Sequence, residues 1–114
     1  MEKKKGLVFD SQRYFARFLK YEFRDDFVFD SYKDITHFDN SLEGYDVVIF
    51  MLYSDNEITD LMRLHKRGVP IIASYLDQTM KSKLKRMKGV YLFDCTKVKA
   101  EMRLELGLCI DLAL

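Results

Sequence analysis

Apolar residues recur along the chain in two alternating rhythms: short continuous runs, and longer stretches in which they return at helical spacing. Continuous runs of about four to eight apolar residues mark strands buried on both faces of a parallel sheet, while the helical spacing marks an element lying against one. Gly6 to Phe9 is the first run. Asp10 or Ser11 then caps a helix with Tyr14, Phe15, Phe18, Leu19 and Phe23 on its apolar side. Phe27 to Phe29 forms a short second strand, and Ile35, Phe38 and Leu42 are spaced for a helix over 33–42. Asp46 to Leu52 is the third strand. Its helix starts near Asp55, buries Ile58, Leu61, Met62 and His65, and stops at Gly68, which suits a left-handed terminating turn. Val69 to Ser74 is the fourth strand, with Pro70 at its start, where a missing amide is tolerated. Asp77 caps a basic helix with Met80, Leu84 and Met87 inside, closed by Gly89. Val90 to Phe93 is the fifth strand, and Thr96 caps the last helix.

The final segment carries a conflict. Met102, Leu104, Leu106, Leu108, Ile110, Leu112 and Leu114 alternate with a period of two, which is strand periodicity. Yet Ala100-Glu101-Met102-Arg103-Leu104-Glu105 are strong helix formers, and a helix is what a β-α alternation needs after strand five. A helix is expected, apolar around most of its circumference, with one face left for a partner. Together these elements predict a single α/β domain over 1–114: a doubly wound (βα)5 three-layer sandwich around a five-stranded parallel sheet.

Charge is unevenly spread. Between Glu22 and Asp60 stand eleven acids against two bases, Arg24 and Lys33, although the whole chain has a formal net charge of only +1. Lys81, Lys83, Lys85, Arg86 and Lys88 concentrate the compensating positive charge on one helix. Such a dipole favours oriented encounter with a charged partner or a second copy, although two solvated faces of opposite sign are the simpler and preferred reading. No aromatic residue interleaves with these lysines, so nucleic acid is not the expected partner. Cys95 and Cys109 lack metal-ligand spacing and read as reduced core thiols. Met1-Glu2-Lys3-Lys4-Lys5 leads directly into a strand, and no apolar run is long enough for a bilayer, so a cytoplasmic protein is expected.

Three segments carry a family likeness. Leu7-Val8-Phe9-Asp10-Ser11, Tyr45-Asp46-Val47-Val48-Ile49-Phe50-Met51 and Gly68-Val69-Pro70-Ile71-Ile72 resemble, in order and spacing, the first strand, the third strand and the entry to the fourth in receiver domains of bacterial response regulators, the CheY-like, flavodoxin-like fold. The resemblance covers nearly the whole chain and implies a two-component signalling role. At the family's phosphorylation site the chain departs from the pattern. Asp10 keeps the first magnesium-binding acid, but Ser11 stands at the second. Met51 stands where the phosphorylated aspartate would be, Tyr75 at the hydroxyl that senses the phosphoryl group, and Asp94 at the lysine that pairs with it. One acid cannot build a magnesium site, and a thioether cannot accept a phosphoryl group. The resemblance therefore implies a degenerate, phosphorylation-independent pseudo-receiver, without enzymatic activity or cofactor.

Two uses follow as expectations. One is a protein-interaction module, meeting a protein partner or a second copy through the fourth helix, fifth strand and fifth helix of the pattern; Lys81, Lys85, Tyr91, Leu104 and Leu108 are its candidate contacts. The other is a small-ligand or cation sensor in the remodelled crevice around Asp10, Met51, Tyr75 and Asp94. Against a cation site, Asp10, Asp55, Asp77 and Asp94 each precede a helical pattern closely enough to serve as helix caps. His37 and His65 lack the acid or cysteine partners of a metal or catalytic centre, and His65 reads as a residue at the edge of the core.

Overall fold

The computed structural model describes residues 3–35, 38 and 42–114. Five strands, β1 (Lys4–Asp10), β2 (Phe27–Tyr32), β3 (Val47–Met51), β4 (Ile71–Tyr75) and β5 (Val90–Asp94), form one sheet in the order β2-β1-β3-β4-β5. All four strand pairings are parallel. Four α-helices stand among the described residues: α1 (Ala16–Glu22), α2 (Ile58–His65), α3 (Gln78–Leu84) and α4 (Lys99–Ala113). The strand order is compatible with a flavodoxin-like fold, in which the chain winds outward from β1 in both directions.

Strand alternation divides the core into two layers. Val8, Val47, Ile49, Met51, Ile72 and Phe93 face α1 and α4, meeting Leu19, Met102, Leu106 and Ile110. Leu7, Phe9, Val48, Phe50, Ile71 and Ala73 face the other side, where they meet Leu61 and Leu64 of α2 and Met80 and Leu84 of α3. β3 and β4 are buried along their whole length, which explains why neither shows polar alternation. Gly6 is a steric necessity. It pairs in register with Phe29, and a Cβ at Gly6 would run into the Phe29 ring. That ring is itself pinned, stacked on Phe27 with centroids 5.1 Å apart.

Several element boundaries differ from the pattern. α1 begins only at Ala16, so Tyr14, placed on its apolar side by spacing, is 77% exposed in the loop before it. Met62, assigned to the buried stripe of α2, is exposed at 48%, because eight helical residues leave only one narrow inner face holding Leu61 and Leu64. His65 sits at the edge, its Nε2 2.6 Å from the Lys88 carbonyl oxygen. α3 ends at Leu84, earlier than Gly89, and the intervening turn is closed by Met87 N–H donating to the Leu84 carbonyl. Gly68 and Gly89 both take the left-handed conformation after their helices. Half of the helix expected over 33–42, His37 included, lies outside the described residues, while Phe38 and Leu42 are buried against Phe9 and its layer.

The terminal segment is helical through Ala113. Met102, Leu106, Cys109 and Ile110 are buried, whereas Leu104, Leu108 and Leu112 are 71%, 65% and 70% exposed. No helix among the described residues is long and apolar enough to cross a membrane.

Candidate functional site

In an open parallel sheet, groups at the carboxyl ends of the strands converge where neighbouring connections leave in opposite directions. Here β1 and β3 flank that point, with Asp10 and Met51 side by side in register. Tyr75 and Asp94 are likewise paired at the ends of β4 and β5. The four residues share one sheet edge but not one face. Asp10 and Met51 lie on the α1/α4 side, and alternation places Tyr75 and Asp94 on the α2/α3 side. Ser11 is half-buried in the turn after β1.

Asp10 is the chemical centre of this edge and is almost wholly buried, at 1% exposure. Its Oδ1 accepts the Arg13 amide at 3.0 Å and the Tyr53 hydroxyl at 2.6 Å. Its Oδ2 accepts the amides of Phe15 at 2.7 Å and Ala16 at 3.1 Å. The carboxylate thus satisfies the free amides at the start of α1, a capping role taken from outside the immediate N-cap position. Four donors occupy the lone pairs with which it could hold a cation. Burial, and then the bond to Asp10, push the Tyr53 phenol far above its usual range, so Tyr53 stays protonated as the donor. The Tyr53 amide in turn donates to Glu57 Oε1 at 2.9 Å, which fixes the loop after β3 over the edge.

Met51 is 1% exposed and packs in the core layer beneath α1 and α4, contributing apolar volume. Tyr75, 8% exposed, packs with Met80 and Leu84, and the Lys81 ammonium lies over its ring at 5.1 Å. Asp94 closes a turn: its Oδ1 accepts both the amide and the hydroxyl of Thr96. Those bonds hold its carboxyl below the usual carboxylate range, with Lys97 and Lys81 adding to the effect. Thr96 is therefore the partner of Asp94, and the N-cap position of α4 belongs to Val98. Asp77 does cap α3, accepting the Met80 amide at 2.8 Å, and Asp55 pairs with Lys83 at 3.3 Å.

Two residues at this edge escaped the sequence reading as site residues, Tyr53 and Cys95. Tyr53 directly follows the third apolar run, but nothing in the pattern says that its loop folds back towards Asp10. Cys95 is half-buried, its Sγ 3.5 Å from the Tyr75 carbonyl oxygen. Burial raises its pKa against the opposing effect of a bond from Ser74, so the thiol is not activated. Cys109, buried under α4, is pushed up to about 11 by burial and then by Glu105. Among the described residues no group of three His, Cys, Asp or Glu side chains is placed to hold a metal ion.

The candidate contact residues fall on two layers. Leu104 and Leu108 form one exposed stripe on α4 with Leu112. Tyr91 is half-buried against the layer beneath that helix. Half-buried Lys81 and exposed Lys85 lie across β5 on the α3 side. No protein-family model, curated protein or solved structure matches the chain.

Proposed function

We propose that this chain is a pseudo-receiver: a (βα)5, flavodoxin-like signalling domain of the two-component type that works by protein contact in the cytoplasm and takes no phosphoryl group. The observation that carries the reading is the state of the strand-end edge. Its one retained acid is saturated by four hydrogen bonds, and the thioether beside it is buried. Neither group is free to do phosphoryl or magnesium chemistry, which also favours protein contact over a cation or small-ligand sensor at Asp10, Met51, Tyr75 and Asp94.

The output surface in this reading is α4 with β5 and α3. Leu104, Leu108 and Leu112 expose a continuous apolar stripe, the kind of surface that marks a protein contact. Lys81 and Lys85 add positive charge on the opposite flank of β5, which would set orientation and on-rate. A second copy of the chain or another protein would bury this stripe.

An amide NMR titration with magnesium and beryllofluoride tests the chemistry. The expected result is no saturable shift at Asp10, Met51, Tyr75 or Asp94; magnesium-dependent saturable shifts there would establish a working phosphorylation switch. Light scattering tests the surface. A parent that self-associates, and a Leu108→Glu variant that is monomeric with an unchanged circular dichroism spectrum, is the outcome expected of a homodimer. A self-associating parent whose Leu108→Glu variant stays associated excludes this stripe as the dimer contact.

A further inference from the structure

We propose a second site, beside the Asp10–Met51 pair and sharing Asp10 as one wall: the cleft between the carboxyl ends of β1 and β2 binds the phosphoryl group of a small phosphate monoester. The cleft is a cavity of about 350 Å³ lined by Asp10, Arg13, Ala16, Ser31, Tyr32 and Lys33. Lys20 reaches its rim from α1, its Nζ donating to Ser31 Oγ at 3.2 Å. Arg13, Lys20 and Lys33 thus stand at this cleft, whose one lining carboxylate is Asp10. Among the described residues no carboxylate forms an ion pair with Arg13, Lys20 or Lys33.

The nearby acids are turned to other work. Asp30 precedes Ser31, but strand alternation sends it to the opposite face, where it accepts the Tyr45 hydroxyl at 2.6 Å and lies 3.6 Å from Lys5 Nζ. Asp10 lines the cleft, yet its oxygens are covered by three amides and a phenol. The residues that line the cleft or reach its rim thus carry one guanidinium, two ammonium groups and a hydroxyl. That donor set fits a tetrahedral oxyanion, and the guanidinium fits it in bidentate fashion.

Arg13 supplies an independent argument. Its φ of +59° makes it the non-glycine residue in the left-handed region among the described residues. An arginine there bears a backbone cost that glycine would avoid, and such strain gathers at ligand clamps. Among the described residues, the hydrogen bonds that Arg13 makes, to the Asp10 carboxylate and carbonyl, come from its amide, which glycine would keep. A concave pocket of this size suits a small monoester better than a polymer lying along the surface.

The experiment titrates the full chain with ribose 5-phosphate, inorganic phosphate and sulfate at two salt concentrations, followed by amide NMR. Saturable shifts at Arg13, Ser31 and Lys33, tighter for the monoester than for sulfate, are expected. Arg13→Gly should fold with an unchanged or higher Tm and bind about tenfold more weakly or worse, the loss of a bidentate charged contact. Lys85→Ala should leave binding unchanged. The proposal is overturned if the shifts never saturate, if they centre on the basic residues of α3, or if Arg13→Gly keeps the parent's affinity. Binding of a single-stranded oligonucleotide with no binding of ribose 5-phosphate would also overturn it, in favour of a nucleic-acid surface.

Discussion

The Tyr53 hydroxyl donates to Asp10 Oδ1 across 2.6 Å, and this one bond ties the loop beyond β3 to the start of α1. Asp10 has almost no water to fall back on, so losing a donor leaves a buried charge short of a partner. Tyr53→Phe removes the hydroxyl and little else. We expect it to destabilise the fold by about 1.5 to 3 kcal/mol, the range for a hydrogen bond to a charged group. Equilibrium urea unfolding measures this, and a midpoint equal to that of the parent would show that the bond does not hold in solution. Asp10→Asn should cost more, since it alters all four interactions together.

Gly6→Ala tests the contact between β1 and β2. The added methyl group would run into Cδ1 and Cε1 of Phe29, a ring that is 6% exposed and stacked on Phe27. The ring cannot swing away without unstacking, so an overpacking cost of about 1 to 3 kcal/mol is expected. Pairing the substitution with Phe29→Leu should relieve part of that cost. Strict additivity of the two changes in a double-mutant cycle would mean that Gly6 and Phe29 do not meet.

Much of the sheet was readable from the sequence because both faces of its central strands are buried. The runs ending in Phe9, Leu52 and Ala73 are apolar without a break, as suits a parallel sheet between two helical layers. The site was only partly readable. Asp10 could be placed at a strand end, but its saturation depends on Tyr53, which returns to it from 43 residues away. The terminal helix shows why periodicity misled. Met102, Leu106 and Ile110 form one stripe at four-residue spacing and are buried; Leu104, Leu108 and Leu112 form a second, offset by two and exposed. Two helical stripes interleaved in this way print a period of two on the sequence, which is the signature of a strand.

Cys109 should make the protein sensitive to alkali. Burial, and then Glu105, raise its thiol pKa to about 11 in the folded state, against about 8.5 in an unfolded chain. A folded-state pKa raised in this way contributes stability that is fully present below the unfolded value and is lost as pH rises through the folded one. Stability should therefore fall between about pH 8.5 and 11 through this group. Cys109→Ala should flatten that decline while lowering stability at neutral pH through the smaller side chain. The same burial should make Cys109 slow towards a thiol reagent at pH 8 until denaturant is added. Rapid modification of both cysteines in the native protein would contradict it.

The two stripes of α4 give the most direct test of its register. Leu106 is fully buried in the layer with Ile49, Phe93 and Met102, whereas Leu104, two positions earlier, is 71% exposed. Leu106→Ala should open a cavity and cost about 2 to 5 kcal/mol. Leu104→Ala should stay within about 0.5 kcal/mol of the parent for the isolated chain, since it leaves the core intact and alanine favours the helix. A strand in this segment would place both leucines on one face, so that the two substitutions would be equally damaging or equally mild. Measured by urea unfolding at low protein concentration, a large gap between them establishes the helical register. Repeating the comparison at high concentration separates packing from association. A cost for Leu104→Ala that emerges only there is the signature of the exposed stripe meeting a second copy of the chain, because association adds to apparent stability in proportion to the logarithm of concentration while core packing does not.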